Sequence, residues 1–96
     1  MKKDNTQDME QALQDFFRSM GLEDGYLETE IRLRWEEMVG RDIAHHTHQI
    51  NYKQGCLKLK LNSSTLRQEL MFHRAELLEQ INYRLKTRPV RELLIR

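Results

Sequence analysis

At 96 residues the chain reads as one domain, and at this size folding removes only about 60–65% of the unfolded surface from water, so the core is small. A content of 39% hydrophobic and 7% aromatic residues with a single proline excludes a disordered or fibrous chain, and no apolar stretch is long enough to span a bilayer. The formal charge of +1 conceals a division: residues 1–50 carry six basic and eleven acidic side chains, net −5, and residues 51–96 carry ten and four, net +6.

Residues 1–5 are expected to be a disordered start, with the domain over 6–96. Met9, Leu13, Phe16, Phe17 and Met20 recur at helical spacing, with Asn5 or Thr6 as a cap and Gly21 past the end. A second helix opens near Gly25 and Tyr26 and carries Leu27, Ile31, Trp35, Met38 and Val39 on one face. Gly40 stops it, and Ile43 with Ala44 adds a further turn. The acids on its other face, including Glu28, Glu30, Glu36 and Glu37, read as solvated charge.

From Thr47 to Lys53 the pattern becomes alternation, with His48, Ile50 and Tyr52 on one side and Gln49, Asn51 and Lys53 on the other. Gln54-Gly55 supplies a tight reversal, and Cys56–Leu61 returns as a second strand with Leu57, Leu59 and Leu61 inward and Lys58 and Lys60 outward. The cluster Asn62-Ser63-Ser64-Thr65 offers oxygens to cap a helix, and Thr65 with Gln68 has capping-box spacing. That helix carries Leu66, Leu70, Leu77, Ile81 and Leu85 and ends before Pro89. Met71 and Phe72 fit its stripe less well and mark a bend or a second contact. Val90–Arg96 reads as a last strand with Leu93 and Ile95 inward and Arg96 outward. The order α-α-β-β-α-β predicts an α+β fold in which helices pack on one face of a three-stranded sheet and leave the other open.

That open face is the leading candidate for function. Lys53, Lys58, Lys60 and Arg96 should project from it with Gln49 and Asn51 among them, a set in which cations neutralise phosphates and amides contact bases or sugars. The competing explanations are that strand lysines keep the edge from pairing and that the two oppositely charged halves attract each other within the fold. Trp35 and Tyr52 belong to the core by spacing, so the open face lacks an aromatic platform and binding there is electrostatic, with little sequence preference.

Of His45, His46 and His48, His46 and His48 could share a strand face, but a zinc site needs three or four ligands and the only cysteine lies across the turn with no second motif to complete the set, so neither metal nor cofactor is expected. The lone Cys56 excludes an internal disulfide and fits a reducing, cytoplasmic setting. It has no base or orienting partner in the pattern, and the chain has no P-loop, dinucleotide fingerprint or nucleophile elbow, so it reads as a non-enzyme. Met71 and Phe72, if exposed together, make an apolar patch for a protein partner or a homodimer.

Three blocks carry a resemblance. Trp35-Glu36-Glu37-Met38-Val39-Gly40 followed by Ile43-Ala44-His45-His46-Thr47, then Gly55-Cys56-Leu57-Lys58-Leu59, then Ser63-Ser64 with Gln68-Glu69-Leu70, resemble in order and spacing the DciA-type domain of bacteria. Ile81-Asn82 and Leu93-Leu94-Ile95-Arg96 match it as well, so the likeness spans nearly everything after about Leu22. It implies a KH-like fold, a role in operating or loading the replicative DNA helicase, binding of single- or double-stranded DNA, and no catalytic residues. The chain lacks the Gly-x-x-Gly loop with which KH modules clamp a nucleic-acid backbone. Residues and resemblance together point to a non-enzymatic DNA-binding adaptor; the alternative is a protein-interaction module or homodimer that never touches nucleic acid.

Overall fold

The leucine and lysine alternation of Cys56–Leu61 forms the middle of the sheet. A computed structural model describes residues 5–85 and 89–96, with side chains from Asp8 onward. Among these the order is α1 (Asn5–Ser19), α2 (Glu23–Leu33), α3 (Trp35–Val39), α4 (Arg41–His46), β1 (Thr47–Lys53), β2 (Cys56–Leu61), α5 (Ser64–Phe72), α6 (Arg74–Leu85) and β3 (Glu92–Ile95). β2 lies between β1, which it pairs antiparallel, and β3, which it pairs parallel. The fold is α+β, with helices on one face of a three-stranded mixed sheet, as the element pattern predicts.

Leu57, Leu59, Leu61, Leu93 and Ile95 point from the sheet into a core closed by Ile31, Trp35, Met38, Leu70, Leu77, Ile81 and Leu85 from the helices. Ile31, Met38, Leu57, Leu59 and Ile81 are fully enclosed at its centre. Trp35 belongs to this core, and its indole N–H donates to Thr47 Oγ1 at 2.9 Å, whose hydroxyl donates in turn to the Ile43 carbonyl at 2.6 Å.

Both long helices read from the sequence are divided. The second breaks at Arg34 (φ −107°, ψ 13°), whose guanidinium bonds Glu30, Glu37 and the Arg84 carbonyl of α6. The third breaks at His73 (φ −112°, ψ 30°). In each case the buried stripe continues across the break, so the core-facing pattern survives while the backbone turns. The helix after the hairpin is capped by Ser63, whose Oγ accepts from the Leu66 N–H at 3.2 Å, two residues earlier than the Thr65/Gln68 box predicts.

The last strand is shorter than Val90–Arg96 because Val90 is bonded elsewhere, through both its N–H and its C=O, to the Asn82 side chain. The first helix is attached narrowly: Phe17 stacks on Tyr26 with ring centres 4.8 Å apart, whereas Met9, Leu13, Phe16 and Met20 are exposed. The expected Asn5 or Thr6 cap and most of the expected disordered start lie outside what is described.

Candidate nucleic-acid interface

Register decides which side chains share the open face. In the hairpin Gln49 stands opposite Lys60, Asn51 opposite Lys58 and Lys53 opposite Cys56; on the other side of β2, Cys56 pairs with Glu92 and Lys58 with Leu94. The Arg96 N–H donates to the Leu59 carbonyl and its C=O accepts from Leu61, which sets Arg96 beside Lys60. Partners across a ladder point the same way. Gln49, Asn51, Lys53, Lys58, Lys60 and Arg96 are therefore on one side of the sheet, all exposed, opposite the leucines of the core. Glu92, Leu94 and half-buried Cys56 share that side, and the first two were not singled out from the sequence.

The turn holding this register has positive φ at both central residues, 50° at Gln54 and 87° at Gly55. That pair of conformations matches the right-handed twist of the flanking strands. The Gly55 carbonyl accepts from the N–H groups of Arg91 and Glu92, and the Arg91 guanidinium donates to the Gln54 carbonyl at 3.1 Å. Arg91 thus ties the start of β3 to the hairpin turn.

One expected alternation is displaced. The ladder shifts by one residue between Thr47 and Gln49, so Thr47 takes the inward place opposite Leu61 and His48 is exposed at the bulge instead of continuing the Ile50 and Tyr52 side.

The free edge of β1 is occupied by charged side chains of α2. Glu28 Oε1 accepts from the Tyr52 N–H at 2.9 Å, Asp24 Oδ2 from the Gln54 N–H at 2.9 Å, and Arg32 Nη2 donates to the Ile50 carbonyl at 2.9 Å while pairing with Glu28 at 3.0 Å. Glu28 is thus a structural acceptor and not merely the solvated charge its helical spacing predicts. These bonds leave an acidic rim along one border of the basic face.

The cations divide by location. Arg18, Arg32, Arg34, Arg41 and Arg84 on or beside the helices each face a carboxylate. Among the described residues, Lys53, Lys58, Lys60 and Arg96 form no ion pair. Those four cations of the sheet face, like Arg67 of α5 and Arg74 of α6, are therefore not neutralised by an ion pair among the described residues.

Met71 and Phe72 lie apart from this face, at the α5–α6 junction, 52% and 88% exposed. With Ser64, Arg67 and Gln68 they line a shallow depression. His45 and His46 meet edge to face, and His46 Nδ1 lies 3.1 Å from the Asp42 carbonyl; among the described residues no group of three His, Cys, Asp or Glu gathers as a metal site. Nor is any described helix long and apolar enough to cross a membrane. Burial, with the charge of Asp24 adding to it, pushes the Tyr52 hydroxyl above its ordinary pKa; that hydroxyl donates to the Pro89 carbonyl at 3.0 Å.

A family model described as "Dna[CI] antecedent, DciA" matches residues 8–95. No curated protein and no solved structure matches the chain.

Proposed function

The chain belongs to the DciA family, which is of the helicase loader or operator type and not a known catalytic one, and on that premise we propose that it is a non-enzymatic, cytoplasmic adaptor holding DNA on its open sheet face. What supports this reading is a sheet face on which Lys53, Lys58, Lys60 and Arg96 are exposed and, among the described residues, form no ion pair, while Arg18, Arg32, Arg34, Arg41 and Arg84 each face a carboxylate. Gln49 and Asn51 stand directly opposite Lys60 and Lys58, within reach of a sugar or base once a phosphate is held. The outward positions of the three strands carry no Phe, Tyr or Trp, so contact is chiefly with the backbone charge and not by base stacking.

Fluorescence anisotropy with a single-stranded oligonucleotide tests the reading. Four phosphate contacts predict that log affinity falls with log salt at a slope of about −3, and Lys58→Glu/Lys60→Glu should lower affinity at least about tenfold. Binding without salt dependence, or unchanged in that variant, excludes this face.

The adaptor's second surface in this proposal is the apolar pair Met71 and Phe72, which engages the replicative helicase. Phe72 is almost wholly exposed, which also favours a reading as a protein-interaction module without nucleic acid. Met71→Ser/Phe72→Ser should abolish retention of the purified helicase and leave DNA affinity intact. Retention that survives the substitution removes this patch.

A further inference from the structure

We propose that a second copy of this chain pairs with the outer edge of β3, antiparallel, about a two-fold axis through Leu94. The two borders of the sheet are treated differently. Asp24, Glu28 and Arg32 bond the backbone of the β1 edge. At β3, Glu92 donates to Gly55 and Arg96 bonds Leu59 and Leu61, so by the two-residue period the backbone of Glu92, Leu94 and Arg96 faces β2 and that of Leu93 and Ile95 faces outward. Among the described residues nothing bonds those outward groups. An edge left in this state is a template for another strand.

The sequence of β3 selects a copy of itself as that strand. Centred on Leu94, an antiparallel copy places Leu93 opposite Ile95 of the second copy and Ile95 opposite Leu93 of the second copy. These are the residues whose backbone groups face outward, so each pair exchanges two hydrogen bonds and the ladder closes with four. On the open face the same register sets Glu92 opposite Arg96 of the second copy, twice by symmetry, and Leu94 against its own image. Leu94 is the half-buried leucine on a side otherwise formed by Gln49, Asn51, the three lysines, Cys56, Glu92 and Arg96. A register centred on Leu93 also aligns outward groups, but it sets Glu92 against a leucine and loses both ion pairs. The chosen axis is perpendicular to the sheet, so helices of both copies stay on one side and the two open faces become continuous.

The pairing is tested without DNA, so its failure leaves the nucleic-acid reading untouched. Sedimentation of the full chain at concentrations up to on the order of 1 mM should show a species of twice the chain mass. Glu92→Arg and Arg96→Glu, both at exposed positions, should each weaken association about tenfold by setting like charges opposite one another, and the combined exchange should restore it. In a Cys56→Ser background, Leu94→Cys should form an intermolecular disulfide under mild oxidation, because directly opposed residues of a non-hydrogen-bonded pair have Cα atoms about 4.5 Å apart. Asn51→Cys, on the far strand, should not. The proposal is overturned by a monomer at every concentration, by cross-linking of Leu94→Cys no faster than that of Asn51→Cys, or by a double exchange no better than the single ones. A dimer insensitive to the charge changes but lost on Met71→Ser/Phe72→Ser overturns it equally, by moving the contact to the helical patch.

Discussion

Asn82 and Val90 exchange two hydrogen bonds: the Asn82 amide donates to the Val90 carbonyl at 2.7 Å, and its oxygen accepts from the Val90 N–H at 3.0 Å. Asn82 is the one buried polar residue among those described, on α6, and Val90 is the last buried position before β3. The amide therefore does for Val90 what a neighbouring strand would do, and it fixes where the chain turns into the sheet. Asn82→Leu keeps the branched shape of the side chain but leaves a buried donor and acceptor unpaired, each costing about 1–3 kcal/mol. Urea denaturation should show a loss in that range or somewhat above it. A loss below about 0.5 kcal/mol, the size of an ordinary surface substitution, would mean that water reaches Val90 and that the pair does not anchor β3.

The hairpin turn makes the opposite kind of prediction at adjacent positions. Gln54 holds φ 50° without being glycine or asparagine, so Gln54→Asn should raise stability by about 0.5 kcal/mol, because asparagine tolerates the left-handed region. At Gly55 a methyl group would meet Arg91 Nε at 2.6 Å and Nη2 at 2.8 Å, in a backbone of φ 87° that side chains rarely adopt. Gly55→Ala should cost about 1–3 kcal/mol and push the Arg91 guanidinium off the Gln54 carbonyl. Thermal denaturation of the two variants beside the parent checks both signs.

The open face was legible because a strand has a strict two-residue period: once Leu57, Leu59 and Leu61 are assigned to the core, Lys58 and Lys60 have no other side to occupy, and a two-residue turn carries the assignment to Asn51 and Lys53. Helices report less. Periodicity shows that Met9, Leu13, Phe16 and Met20 share a face of α1, but not that anything covers it, and these side chains are exposed. Glu28 has the spacing of a solvated acid and Asp24 precedes the helix read from the sequence, and the strand and turn amides they bond lie 24 and 30 residues away. The bulge at Thr47 is marked by neither glycine nor proline, so its displacement of His48 emerges only from the ladder. The breaks at Arg34 and His73 were hidden for a related reason, since the apolar stripe runs through both.

The bonds from α2 to the β1 edge predict a specific failure. Glu28→Ala removes the acceptor of the Tyr52 N–H and the partner of Arg32, exposing a strand edge beside an apolar core. The expected result is a loss of about 1–2 kcal/mol together with light scattering that grows with protein concentration. Glu28→Gln keeps an acceptor oxygen in place and should stay dispersed. Glu36→Ala, which removes only an exposed pair with Arg41 at 3.6 Å, should change stability by less than about 0.5 kcal/mol. Aggregation of the Glu36 variant to the same degree would show that net charge, and not the edge, is responsible.

Alkaline stability follows from two tyrosines. Burial pushes the Tyr52 hydroxyl above its ordinary value of 10.0, and Tyr26, stacked on Phe17, is raised by burial and then by the charges of Glu30 and Glu10. A raised folded value means that the native state holds its protons more tightly than the unfolded chain. This stabilising contribution is complete below the unfolded value of about 10.0 and is lost as pH rises through the folded one. With respect to these groups, the denaturation midpoint should be level up to about pH 10 and fall beyond it, with tyrosinate absorbance rising as the chain unfolds. Tyr52→Phe should flatten that fall while costing about 0.5–1.5 kcal/mol at neutral pH, since the Pro89 carbonyl loses its donor. An alkaline decline as steep in Tyr52→Phe as in the parent would place the titrating group elsewhere, and Tyr26→Phe then distinguishes the remaining candidate.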